Sequence, residues 1–361
     1  MTTLTTEQRI RGALWGMFVG DALAMPVHWY YDPDAIVRDF GEIRDYQAPK
    51  LHHPSSIMSL ANTGKAGRGS QDGDVVGSVI LKGKKKHWGQ ANRHYHRGMQ
   101  AGDNTLNLQC ARVLMRLLNS EGRYDPDEFL SHYVEFMTTE DSHNDTYAES
   151  YHRDFFANYA KGIPPAKCAG AEGHDTASVG GLVSLPMVIF SMLGHNSLDA
   201  TTQGALTHLR LTHLSSKLER YASEFVRLLH DVLQAPPTPV AQLASAAGDR
   251  LGFPLAALLQ RISVDGRSDR DVIGPWLSSA CYIEHSFPSV LYLAARYAND
   301  FESALVANTR VGGDNCHRGA VLGAFLGASL GMEAIPERWV RGLTKHVELA
   351  REIDGFCARF S

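Results

Sequence analysis

Glycine stands at positions 319, 323, 327 and 331 of Arg318-Gly-Ala-Val-Leu-Gly-Ala-Phe-Leu-Gly-Ala-Ser-Leu-Gly331. A four-residue period puts all of them on one helical face. Inside a helix each glycine costs about 1 kcal/mol relative to alanine, so a register of this kind implies a face that another helix approaches closely. The run is preceded by Val311-Gly-Gly and by Asp314, Asn315, Cys316 and His317. These polar groups would sit at the helix N-terminal mouth, where free backbone N–H groups and the positive dipole end collect. Carboxylate, thiol and imidazole together there read as a site. The N-terminal region repeats the pattern with Gly12, Gly16 and Gly20, followed by Asp21 and, beyond Ala22-Leu-Ala-Met-Pro-Val, His28. Packing the two glycine faces together would bring Asp21 and His28 near Asp314. Close helix packing with no chemistry is the competing reading of the same stripes.

The rest of the chain reads as helices and loops. Helical patterns are predicted over 6–23, 105–118, 126–138, 180–193, 200–214, 215–234 and 240–251, with weak strand signals and no solenoid period. Residues 32–103 form a long irregular stretch, of the kind that is functional or mobile in compact proteins. The expectation is one all-α domain over 1–361, a compact orthogonal helical bundle. Hydrophobic residues make up 44% and charged residues 20%, enough for a sizeable core, and a net charge of −4 gives no basic field for nucleic acid. The one concentrated basic run, Lys82-Gly-Lys-Lys-Lys86, reads as a solvated loop. No apolar run reaches the roughly 20 residues of a membrane span. The first residues lack the charged and apolar regions of a signal peptide. Five scattered cysteines read as reduced thiols, which points to a cytoplasmic protein.

Two further segments carry candidate chemistry. Residues 142–154 hold His143, Asp145, Glu149 and His152, interleaved with Tyr147 and Tyr151. A helix from Asp145 would put Asp145, Glu149 and His152 on one face; a polar surface helix is the alternative. Residues 172–181, Glu-Gly-His-Asp-Thr-Ala-Ser-Val-Gly-Gly, form a loop before a helix, and such N-termini hold phosphate well. His174, Thr176, Ser178 and Gly180 are its candidates.

Taken together, the chain resembles the ADP-ribosylglycohydrolase superfamily, whose members include dinitrogenase reductase-activating glycohydrolase and the jellyfish J-crystallins. The likeness is carried by Arg11–Trp29, by Gly102-Asp-Asn-Thr-Leu-Asn-Leu-Gln109 at the place of the T-D-D-T metal motif, and by Ser286–Trp339. The resemblance implies a hydrolase cleaving a glycosidic bond to ribose, with an ADP-ribose-like molecule or an ADP-ribosylated protein as partner and neither nucleic acid nor membrane involved. It implies Asp103, Asp314 and Asp21 as catalytic residues. Substrate would meet His28, Asn104, Tyr147, Tyr151, His174, Thr176, Ser178, Gly180 and Asn315. Metal would fall to Asp103, Thr105, Asp314, Cys316 and His317.

The departures are as specific. The G-G-D-T-D-T pattern reads Gly312-Gly-Asp-Asn-Cys-His317 here, and T-D-D-T reads Gly102-Asp-Asn-Thr105. Two carboxylates are lost, and a thiol and an imidazole are gained. Magnesium, the metal implied by resemblance, depends on carboxylate oxygens; thiol and imidazole favour a transition metal. A two-magnesium site is therefore not expected: the site is rebuilt for another metal, reduced to one ion, or metal-free. The other functional reading is a catalytically degenerate member that binds ADP-ribose or a nucleotide, or serves structurally as crystallins do.

Overall fold

The computed structural model describes residues 4–58, 75–173, 175–234 and 238–361. Fifteen α-helices run through them: α1 Thr6–Ala24, α2 Pro33–Phe40, α3 Leu106–Glu121, α4 Pro126–Thr138, α5 Ser150–Ala160, α6 Leu185–Leu193, α7 Leu198–Arg210, α8 Ser216–Gln234, α9 Val240–Leu251, α10 Leu255–Asp265, α11 Ile283–Arg296, α12 Phe301–Arg310, α13 Asn315–Leu330, α14 Glu337–Gly342 and α15 His346–Phe360. Among the described residues, strand pairing is limited to isolated bridges such as His52 with Arg93 and Ser178 with Tyr282. The protein is all-α.

The glycine stripes meet as a pair of antiparallel helices. A Cβ on Gly12, Gly16 or Gly20 would lie 2.2, 2.1 or 2.1 Å from the carbonyl oxygens of Gly327, Gly323 and Gly319. Backbone therefore touches backbone along the whole seam. Both helices are buried nearly all round, α13 from Asn315 to Ala328 and α1 from Gly12 to Ala24, as helices with no polar face must be. A capping box of Thr5 and Gln8 starts α1. Helices α8, α11 and α12 pack around α13, and α15 lies against α1.

Antiparallel pairing places the C-terminal end of α1 beside the N-terminal mouth of α13. There the chain turns at a 3-10 segment, Met25–Val27. Trp29 adopts φ 62°, a left-handed conformation that costs a non-glycine residue on the order of 1–3 kcal/mol. It is held by two backbone bonds: Trp29 N–H to Gly313 O at 2.8 Å and Gly313 N–H to Tyr30 O at 2.6 Å. Gly313 (φ 69°) has room for no side chain, since its Cβ would lie 1.9 Å from Ser279 O. The buried Arg318 guanidinium closes the turn by donating to Gly312 O at 2.7 Å, Asn308 Oδ1 at 2.7 Å, Asn308 O at 3.2 Å and Ser279 O at 3.3 Å.

The stretch expected to be irregular begins with α2, capped by Asp32; beyond it, over the described residues, histidines tie the chain down. His53 Nε2–H donates to His28 O at 2.8 Å, and His94 Nε2–H donates to Pro26 O at 3.0 Å. In each ring Nδ1 accepts a backbone N–H, from Ser55 and from His96, which fixes the tautomer. The glycine-rich run 64–70 lies outside the described residues.

Candidate functional site

Asp314 is the centre. It precedes α13 but does not cap that helix with its side chain. The carboxylate turns inward: Oδ1 lies 2.9 Å from His28 Nε2 and 2.7 Å from His317 Nδ1. His28, Asp314 and His317 are at most 1% exposed, and one ligand atom from each falls within 4.8 Å of the others. Asp314 Oδ2 has no hydrogen-bond partner.

A second row of residues holds this centre. His28 Nδ1 lies 2.8 Å from His96 Nε2, and His96 Nδ1 lies 2.8 Å from Asp145 Oδ1. Asp145 also accepts the backbone N–H groups of Leu106 at 2.8 Å and Tyr147 at 3.1 Å. On the other side, Asn107 Nδ2 contacts Glu149 Oε2 at 2.7 Å and His317 Nε2 at 3.0 Å, while Asn107 Oδ1 meets the Tyr151 hydroxyl and His152 Nε2 at 3.0 Å each. A Cβ on Gly180 would lie 3.0 Å from Glu149 Oε2, 3.2 Å from Asn107 Nδ2 and 3.5 Å from His317 Nδ1, so the bare glycine lets these groups stand against the backbone.

The environments push the two acids in opposite directions. Burial disfavours charge on Asp314, yet His317 and His28 overcome it and hold the carboxyl far below its ordinary range. Burial raises Glu149, and nearby Asp314 adds to the rise against the pull of His317. Burial drives His28 down to about 3 despite its bond to Asp314. In His317 the attraction of Asp314 and Glu149 outweighs burial and increases its affinity for a proton. Asp145, buried but bonded to His96 and two backbone N–H groups, stays below the usual carboxylate range.

Several expected residues lie elsewhere. Asp103 takes no part in the centre: its carboxylate is occupied by Gln100 N–H, Asn144 Nδ2 and the Thr344 hydroxyl at 2.7, 2.7 and 2.5 Å. Thr105 spends its hydroxyl on Asp21 at 2.6 Å, and Asp21 also receives Thr105 N–H and Asn104 Nδ2; Asp21 and Asn104 thus join α1 to the start of α3. Cys316 faces Ala24, Met25 and Met99 in a small apolar cluster, where burial pushes its thiol far up, so it is no ligand in this arrangement. Asn315 donates to Thr309 O and Val27 O. Thr176 accepts Gly173 N–H, Ser178 bridges to Tyr282, and His174 lies outside the described residues. Tyr147 is buried in an aromatic stack with Trp88 (5.4 Å, 10°) and edge-on to Trp29, which itself stacks on His28 at 3.6 Å. Asp145 reaches the site although α5 begins only at Ser150. Asn107 and His96 were not anticipated at all.

The sequence profile of the ADP-ribosylglycohydrolase family matches residues 2–360. The chain belongs to that family. Among solved structures, a chain from an "ADP-ribosylglycohydrolase-related protein complex" shares the fold, with TM-score 0.64 and 19% identity over 99% of each chain. No curated protein matches. Divalent metals are usual in the family, but a pair of magnesium ions does not fit here. The centre offers one ionised carboxylate and two imidazoles, and two adjacent dications with a single nearby anion would repel each other.

Proposed function

We propose that the protein is a hydrolase of the ADP-ribosylglycohydrolase type acting at the Asp314–Glu149 pair. One observation carries the reading: both acids face the same imidazole nitrogen, His317 Nδ1, at 2.7 Å for Asp314 and 3.7 Å for Glu149, and their surroundings push their proton affinities in opposite directions. A carboxylate and a neutral carboxyl are the two groups that cleavage of a glycosidic bond requires, one to stabilise or activate and one to protonate the leaving group. Asp314 is the anion that faces the developing oxocarbenium charge, and Glu149 supplies the proton to the departing aglycone. Asn107 holds Glu149 in place, and the missing side chain of Gly180 leaves space beside them. The substrate is an ADP-ribosylated protein or small molecule. The test is release of free ADP-ribose from ADP-ribosylated peptides, followed chromatographically, with Asp314→Asn and Glu149→Gln as impaired controls; no release from any ADP-ribosyl linkage overturns the reading.

A second reading, a ligand-binding family member without turnover, is favoured by the space available. The cavity that reaches Asn107, Tyr151 and Gly180 holds about 30 Å³, room for one or two waters and not for a ribose. The wide cavity of about 990 Å³ opens instead on Asp103, Asn104, Gln109 and Asn144. Binding of ADP-ribose, seen as a raised melting temperature, without hydrolysis supports this second reading.

A further inference from the structure

We infer that the wide cavity beside α3, together with the apolar pocket it runs into, is a binding site for a nucleoside. The base enters the pocket between α3 and α4, and the sugar hydroxyls lie on the amide floor of the cavity. The inference stands apart from the hydrolase reading: none of His28, Glu149, Gly180, Asp314 and His317 lines either space.

The two spaces are continuous. One holds about 990 Å³ and the other about 380 Å³, and Arg116, Phe136 and Ser142 line both. Volumes of this order are those of small-molecule sites. The smaller space is lined by the buried side chains Val113 and Leu117 of α3 and by Phe136 of α4, with Ser120, Glu135 and Thr139 adding polar atoms. Apolar surface edged with polar atoms suits a heterocycle better than a hydrocarbon. Where the spaces join stand an aromatic ring and a guanidinium, Phe136 and Arg116, the two kinds of side chain on which bases stack. Arg116 comes no nearer to Glu352 than 3.6 Å, because Arg112 already holds that carboxylate by bonds of 2.7 and 2.8 Å.

The floor of the larger cavity selects hydroxyls. Gln109 Nε2 donates to Asn104 O at 2.8 Å and to Asn144 Oδ1 at 3.0 Å, and Asn144 Nδ2 donates to Asp103 Oδ2 at 2.7 Å. Gln109 has then spent both amide hydrogens inside the protein and keeps only its oxygen for a ligand. Two imidazoles in the walls, His87 and His143, each have a buried Nδ1 with no hydrogen-bond partner among the described residues. A hydroxyl both donates and accepts, so it serves amide oxygen and imidazole nitrogen alike. Charge in the walls is balanced. Lys84 pairs with Asp141 at 3.8 Å. Among the described residues Lys86 has no carboxylate, and Glu140 no cation, at pairing distance. Balanced walls favour a neutral nucleoside or its monophosphate over a polyanion, and Lys86 is the cation for a single phosphate.

The experiment is isothermal titration calorimetry of the full chain with adenosine, guanosine, cytidine and uridine, with the matching monophosphates, and with ribose 5-phosphate as the probe without a base. At least one nucleoside is expected to bind saturably, its monophosphate to bind within about tenfold of it, and ribose 5-phosphate to show no saturation. Phe136→Ala and the half-exposed Arg116→Ala weaken binding about 10–100-fold. Lys86→Ala weakens the monophosphate alone, and Asp314→Asn changes nothing. Circular dichroism checks that each variant is folded; Arg116→Ala carries the test if Phe136→Ala unfolds. Four results overturn the inference: no saturable binding of any nucleoside at millimolar concentration, ribose 5-phosphate bound as tightly, binding indifferent to Arg116→Ala, or binding lost in folded Asp314→Asn. Nucleoside binding of the expected kind without release of ADP-ribose upholds the cavity site and counts only against the hydrolase reading.

Discussion

Gly16 and Gly323 are each other's limit: a Cβ on either would lie 2.1 Å from the carbonyl oxygen of the other. Neither neighbour is a side chain that can swing away. The strain falls on two helix backbones that are themselves packed in the core. Gly323→Ala is therefore expected to lower stability by about 1–3 kcal/mol, and Gly323→Leu by more. Urea unfolding measures this, and a neutral Gly323→Ala contradicts the packed seam.

The opposed shifts of Asp314 and Glu149 set the shape of the pH profile. Glu149 is raised, so its proton is present at low pH and lost as pH climbs above the ordinary carboxylate range. Asp314 is held far below that range and stays ionised through it. Hydrolysis is expected to fall on the alkaline side. Glu149→Gln should cost about 10²–10⁴-fold and flatten that limb. An alkaline limb that survives Glu149→Gln assigns the proton to another group.

Buried neutral histidines make the fold sensitive to acid. Burial pushes His208 down to about 3 and His143 to about 4, from 6.5. A depressed folded value means that the stability is present above pH 6.5 and is lost as pH falls toward the folded values, because the unfolded chain takes up the protons first. Within that window each such group contributes a slope of at most about 1.4 kcal/mol per pH unit. Denaturant unfolding at pH 7, 6 and 5 should show falling stability. His208→Gln, which keeps a polar group between Tyr124 and Ser184, should reduce the slope.

Arg318→Met tests the turn beneath the centre. It removes a buried guanidinium and orphans the acceptors at Gly312, Asn308 and Ser279. A loss of roughly 3 kcal/mol or more is expected. Arg318→Lys should fail to restore it, because one ammonium cannot span a fork of four acceptors. Thermal unfolding of both variants decides the point.

How much was legible follows from what the signals depend on. The α1–α13 seam could be read because a four-residue glycine period has few other causes. That seam placed His28 against Asp314, while Asp21 turned instead to Thr105 and Asn104. The first metal motif could not be located as well. Asp103 and Asp145 look alike in a sequence, and only the turn before α3 decides that one carboxylate meets Thr344 while the other meets His96. Asn107 is a single amide on a helix whose apolar face dominates the pattern. His96 sits in a stretch with no period, where no helical or strand template applies. Cys316 was over-read: proximity in sequence to Asp314 and His317 does not survive a helical turn of about 100° per residue, which points it into the apolar cluster.

The α1–α13 pairing has a consequence for biosynthesis. His28 and Asp314 are 286 positions apart, and the seam joins an early helix to a late one. During N-to-C translation α1 is made long before its partner. Its glycine face, open along the backbone, then has nothing native to dock on, and the centre cannot assemble on the ribosome until α13 has emerged. Such distant closure slows folding and leaves apolar surface exposed in the interval, until nearly the end of synthesis.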